Sequence, residues 1–214
     1  MRSKVSPITF LGLFISLFGF VTLRLLFRGL NASSSVTAAA WKELAIWLLA
    51  AVLLVLIRFG ERLPLKSIGL GVSPWRQSIR YGYILTGLCG VTAWIVLSFT
   101  GYGHGPGSTE FNKIPIWFET LVVIRSGIIE ELFFRGYAIE RLEAIGCGRL
   151  LSAAISLLVF AATHWTGGIE NIILAFVVGI ILTLFYVWRR DLVANMIGHG
   201  LSDLIGLVLP RLVH

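Results

Sequence analysis

Charge is what this sequence has least of. Only 14% of its 214 residues are Asp, Glu, Lys or Arg, against 57% hydrophobic residues, and the mean hydropathy is +0.87. A soluble globular chain carries about 25% charged residues, so a water-soluble domain is excluded for most of the length. Cysteine is nearly absent as well. Cys89 and Cys147 stand alone, without a CxxC spacing, which excludes a disulfide framework and a dithiol redox motif. No internal repeat is evident, and no low-complexity tract exceeds short Ser and Ala runs. The net charge of +7 is scattered between apolar runs rather than gathered into a basic stripe with interleaved aromatics, so nucleic acid is excluded as a partner.

What is present is a succession of long apolar runs. They predict helices at about 6–28, 37–57, 77–100, 114–145, 149–165, 169–188 and 191–209, each near the roughly 20 residues a bilayer requires. The fold class expected is all-α: a polytopic membrane bundle of about seven transmembrane helices, with six to eight as the range. Residues 1–214 read as a single transmembrane domain. The uncharged run from Val5 to Leu23 exceeds the about 7–15 residues of a signal-peptide core, so it reads as a retained first span. The segment from Arg58 to Arg80 holds five basic residues against Glu61 alone. It reads as cytoplasmic, and span counting puts the N-terminus on the same side. The absence of an organellar transit signal fits a prokaryotic inner membrane.

Against so apolar a background, the run Glu130-Glu131-Leu132-Phe133-Phe134-Arg135 stands out. An ionised group near the bilayer centre costs about 2.5–3.5 kcal/mol on insertion scales, and such residues mark functional sites. The span that carries them, at about 32 residues, would reach about 48 Å as an α-helix, so its ends leave the membrane or tilt. The two glutamates are expected inside it, in the cytoplasmic half. On an α-helix Glu131 and Arg135 share a face, so Arg135 can neutralise and orient Glu131 while Glu130 faces a cavity as a base. The plainer alternative makes both glutamates structural partners of arginines on other helices.

Two histidines add to this. His164 follows Phe160 by one turn at the far end of the fifth span, where Phe160 can limit the motion of the ring. His199 and Asp203, four apart, extend with Asn195 into a polar stripe on the last span, which must face protein or water rather than lipid. His104 lies in a Gly/Pro-rich loop and His214 ends the chain; both are set aside.

Together, Glu-Glu-x-x-x-Arg at 130–135, Phe-x-x-x-His at 160–164 and His-x-x-x-Asp at 199–203 resemble the CPBP family of intramembrane proteases. That family includes the type II CAAX prenyl endopeptidases and bacteriocin-processing or immunity-associated proteins. The resemblance covers about residues 114–209, the expected catalytic core. Asp203 stands where the family pattern often has Asn, and Leu63–Val72 looks like the family's pre-helix segment.

The resemblance implies an intramembrane endopeptidase acting on a membrane-associated peptide, whether prenylated, a leader or a sorting tail. Glu130 would take a proton from a water that His164 also positions. His199 would donate to the developing oxyanion, with Asp203 orienting it and Glu131, Arg135, Phe160 and Asn195 supporting. No cofactor is required by this chemistry. A zinc-dependent protease remains open through Glu130, His164 and His199, although the HExxH spacing is absent. A non-catalytic peptide-binding immunity or assembly protein on the same fold also remains open, as does a small-solute transporter. With no soluble recognition domain, specificity is expected from the cavity lining, the 101–113 loop and lipid.

Overall fold

The computed structural model describes residues 6–29, 36–100 and 115–213. The 101–113 loop, Arg2, Lys4, residues 30–35, His104 and His214 lie outside the described residues. Seven helical rods account for nearly everything described. They are α1 (Pro7–Gly29), α2 (residues 36–60), α3 (Trp75–Thr100), α4 (residues 116–144), α5 (Arg149–Ala162), α6 (Ile169–Arg189) and α7 (residues 192–213). There is no strand among the described residues. The all-α membrane bundle expected from the apolar runs is therefore the fold.

Four helices are long and apolar enough to cross a bilayer: Pro7–Arg28, Thr37–Gly60, Trp75–Thr100 and Ile169–Arg189. Their outward side chains are apolar, among them Phe10, Phe14, Leu48, Trp94, Leu184 and Trp188. In water such a surface would aggregate; against lipid tails it is the ordinary exterior. The other helices are shorter or more polar, for reasons that build the site.

α4 runs through the middle of the bundle, packed by α1, α2, α5 and α7. Every residue from Ile129 to Leu142 is buried, so the charges on this helix face protein rather than lipid. That is how one span accommodates so many ionisable groups. Its central stretch, Ser126–Ile139, is π-helical rather than α-helical. π-turns are rare and concentrate at functional sites.

α5 has 14 residues, reaching about 21 Å at 1.5 Å per residue, well short of a hydrocarbon core about 30 Å thick. The fifth helix thus stops earlier than the apolar pattern suggests, and His164 lies beyond its end. Thr163 Oγ1 donates to the Phe160 carbonyl at 2.6 Å, and a 3₁₀ turn over Trp165–Gly167 redirects the chain. A helix that ends inside the membrane thickness leaves a recess at its tip.

At the opposite end, the 61–72 segment is locked to the bundle. Glu61 accepts from Arg141 Nε and from the Tyr137 hydroxyl at 3.0 Å, and Arg141 Nη2 donates to Ser67 Oγ at 2.9 Å. Gly69, with φ +80°, lies where a Cβ would come within 2.5 Å of the Arg190 carbonyl oxygen, and its own carbonyl accepts from Leu192 N at 3.1 Å. Asp191 caps α7 by accepting from Ala194 N at 3.1 Å. Cys89 and Cys147 are both free thiols.

α4 and α7 meet at glycine. A Cβ on Gly127 would lie 2.6 Å from Gly200 Cα and 3.1 Å from the Met196 carbonyl oxygen. These are backbone atoms that cannot rotate aside, the small-residue contact by which membrane helices approach closely. Gly127→Ala should therefore lower the melting temperature in detergent, since overpacking costs about 1–3 kcal/mol. Gly87→Ala, where a Cβ meets nothing within 4 Å, should leave it unchanged. Equal melting of the two variants would refute the contact.

Candidate active site

Glu130 and Glu131 are adjacent on the π-helical stretch of α4, yet they look into different surroundings. Glu131 is fully buried. Its Oε1 accepts from Arg135 Nη1 at 2.8 Å and lies 2.8 Å from His199 Nδ1, while its Oε2 accepts from Asn195 Nδ2 at 3.0 Å. Asn195 also donates to the Leu182 carbonyl at 2.9 Å. A buried carboxylate with a guanidinium, an amide and an imidazole on its two oxygens is held in one orientation.

Glu130 is held on one side only. Its Oε1 accepts from Arg125 Nη1 at 2.7 Å, and Arg125 Nε in turn donates to Glu43 of α2 at 2.9 Å. The other oxygen, Oε2, is buried without a hydrogen-bond partner. The residue lines a cleft of about 80 Å³ together with Phe20, Leu23 and Arg24 of α1, Lys42 and Ile46 of α2, Arg125, Thr163 and His164. A polar recess of that size has room for water.

His164 meets Glu130 in this cleft because α5 stops short. Its Nδ1 lies 3.0 Å from the Phe160 carbonyl oxygen, which can only accept. Nδ1 is therefore the protonated nitrogen of the neutral ring, which leaves Nε2 as the acceptor. Phe160 packs edge-on against the His164 ring, with centroids 4.9 Å apart, and its own face carries the Arg135 guanidinium at 4.1 Å. Phe160 thus touches both halves of the site.

His199 does not line the cleft. Its Nδ1 faces Glu131 at 2.8 Å and its Nε2 faces Asp203 at 3.4 Å. With both nitrogens opposite carboxylate oxygens, the doubly protonated ring satisfies both contacts. The polar stripe Asn195, His199, Asp203 is thus turned toward α4 rather than toward lipid. Among the described residues, no three His, Cys, Asp or Glu side chains converge so as to hold a metal ion. The alternative ligand set of Glu130, His164 and His199 forms no such group.

The cleft is bounded by the later part of α1, the early part of α2 and the end of α5, toward the helix ends away from the basic 58–80 segment. One feature differs from the sequence reading, the Arg125–Glu130 pair. Residues five apart lie about 140° from each other on an α-helix of 3.6 residues per turn. In an i→i+5 π-helix they become neighbours. Arg125 falls inside the fourth apolar run, but no α-helical spacing pairs it with Glu130. Glu43, Arg24 and Lys42 gave no signal beyond lying near helix ends, where basic residues read as topology.

Glu131 and Arg135 expose 0% and 1% of their side chains. Removing one partner of so buried a pair costs about 3–5 kcal/mol, because the other charge stays behind. Arg135→Met should therefore lower unfolding stability by about that amount. Glu131→Gln with Arg135→Met should recover part of it, read by thermal or denaturant unfolding in detergent. A double variant less stable than Arg135→Met would overturn this account.

No curated protein and no solved structure matches the chain. Residues 112–205, somewhat under half of its length, match the family model described as type II CAAX prenyl endopeptidase Rce1-like. That stretch holds Arg125, Glu130, Glu131, His164, His199 and Asp203, so the segment that builds the site is similar to the Rce1-like CAAX prenyl endopeptidases, in keeping with the resemblance that the three motifs carry.

Proposed function

We propose that the protein is a metal-free intramembrane endopeptidase that hydrolyses a membrane-associated peptide with water activated by Glu130. The observation that carries this reading is the asymmetry of Glu130. One oxygen is anchored on Arg125, the other has no hydrogen-bond partner, and the residue lines a cleft shared with His164.

A water in that cleft meets two acceptors, Glu130 Oε2 and His164 Nε2, so both of its protons are engaged and its lone pair points away toward a substrate carbonyl. Attack forms the bond from oxygen to the carbonyl carbon as the water proton passes to Glu130. The protonated Glu130 then gives that proton to the departing amine as the C–N bond breaks. Arg125 keeps Glu130 from rotating out of line during both transfers. His199, on the α7 side of Glu131, is assigned to the oxyanion: the 3.4 Å contact of Nε2 with Asp203 is weak, so that N–H can turn to a carbonyl oxygen while Nδ1 stays fixed on Glu131. Asp203 steers the ring and Glu131 holds it. Asp in place of Asn at 203 suits this, since a carboxylate favours the imidazolium form.

The substrate is a peptide that reaches the cleft from the bilayer, with its prenylation state open. If the basic 58–80 segment and the N-terminus face the cytoplasm of a prokaryotic cell, the cleft lies in the outer half of the inner membrane, which favours a leader or sorting peptide.

The test is cleavage of a mixed peptide library by the full chain in liposomes. Glu130→Gln and His164→Ala should each reduce kcat by about 10²–10⁴, the range for a general base, and wild-type cleavage should persist with a chelator present. Loss of wild-type activity on chelation would overturn the metal-free route. Peptide binding with no cleavage by any form would replace the protease with a peptide-binding immunity or assembly protein.

A further inference from the structure

The cleft is lined by more positive charge than its own carboxylates answer. Arg24, Lys42 and Arg125 face Glu43 and Glu130, and Arg125 already bonds both glutamates. Arg24 and Lys42 form no ion pair among the described residues. The one hydrogen bond of Arg24 runs from Nη1 to the Thr163 carbonyl at 2.6 Å, which leaves the rest of its guanidinium donors unused. Lys42 lies within electrostatic reach of Glu43, which Arg125 already bonds, and of Arg24 and Arg125, both of its own sign.

Cations on transmembrane helices usually either pair with an anion or snorkel to the headgroups. Arg24 does neither. It turns inward, ties itself to the residue before His164, and shares the cleft wall with Glu130. Its neighbour Arg28 shows the contrast, since it lies exposed over the Trp165 ring at 4.7 Å. The apolar remainder of the wall, Phe20, Leu23 and Ile46, keeps the local dielectric low, where an unanswered positive charge binds an anion most strongly.

We propose that Arg24 and Lys42 form an anion subsite that selects substrates bearing a carboxylate next to the scissile bond. This rests on the cleft being the place where the peptide is cut, and it names the substrate chemistry of that place. Because Arg24 is bonded to Thr163, a carboxylate held there lies beside the His164 edge of the cleft. Two sources supply such a group: the free C-terminus of a tail, or an Asp or Glu side chain flanking the cleaved bond. Arg24 can engage it through two parallel N–H donors while Lys42 supplies a point charge.

The experiment uses the full chain in phosphatidylcholine vesicles and a lauroylated, dye-labelled peptide in four forms: free acid or amide at the C-terminus, each with an internal Asp or Asn. Binding to the Glu130→Gln protein is read by fluorescence anisotropy, so it does not depend on cleavage. Carboxylate-bearing forms should bind about tenfold more tightly than the form with none, in keeping with one charge-assisted contact. The two single-acid forms show which source is used. Adding Arg24→Gln and Lys42→Gln should bring the ratio below about twofold without weakening the neutral form, whereas Arg24→Lys with Lys42→Arg should keep most of it.

No preference in the parent protein would overturn the subsite, as would a preference that survives the Gln variants or an equal loss for charged and neutral peptides. A preference abolished by phosphatidylglycerol would also overturn it, because the pair would then be holding a lipid phosphate. Selective binding without cleavage by the wild-type chain would leave the subsite standing and remove the hydrolytic role instead.

Discussion

Two carboxylates side by side within the membrane thickness must each be given a counter-charge, and neighbouring residues on one helix cannot share the same one. That constraint shapes the rest of the bundle. Glu131 draws Arg135 from its own helix and Asn195 and His199 from α7; Glu130 draws Arg125, and through it Glu43 from α2. The helix that carries the pair is consequently the one enclosed on all sides. Lipid could not meet these groups, and each ion left unpaired would cost several kcal/mol. The long apolar helices α1, α2, α3 and α6 supply the lipid-facing wall that makes the enclosure possible.

The two carboxylates end up chemically distinct because their enclosures differ. Both oxygens of Glu131 are occupied, which makes it a strut. Glu130 has one occupied oxygen and one without a partner, and it lines a recess. The recess exists because α5 is too short to cross, and the occupied oxygen finds its partner because a π-helical stretch places Arg125 beside Glu130 rather than a third of a turn away. A regular α-helix here would still pair Glu131 with Arg135, but it would leave Glu130 to find a partner on another helix. π-turns at functional sites commonly re-aim a side chain in this way, and here the consequence is a carboxylate anchored and available at the same time.

Much of this is legible in the residues. Seven apolar runs locate seven helices to within a few residues at most ends, since an uninterrupted hydrophobic stretch about 20 residues long has few other uses. Charge inside such runs points to Glu130, Glu131 and Arg135, and four-residue spacing pairs His199 with Asp203 on an α-helical segment and Glu131 with Arg135 even within the π-helical stretch, because the long Arg135 side chain still reaches its partner. Where the helix changes type, that periodicity fails, and Arg125–Glu130 goes unseen. The early stop of α5 is hidden because Trp165 and the residues before it are apolar enough to continue a span; only the hydrogen bond of Thr163 to Phe160 and the turn at Gly167-Gly168 end it. The contribution of α1 and α2 to the cleft is a matter of tertiary packing, which no local pattern in Arg24, Lys42 or Glu43 encodes.

The same packing explains why the cleft can combine a base with a surplus of positive charge. A general base in a wholly apolar recess would tend to take up a proton and lose its function. Arg125 prevents that directly, but a guanidinium bonded to two glutamates has little left for a substrate. Arg24 and Lys42 sit on helices other than the one that carries Glu130, and neither is bonded to that carboxylate, so their charge can meet an incoming anion. Division of labour between a cation that holds the base and cations that receive the substrate requires at least three helices around one recess. α1, α2 and α4 provide it, and the short α5 keeps the recess open.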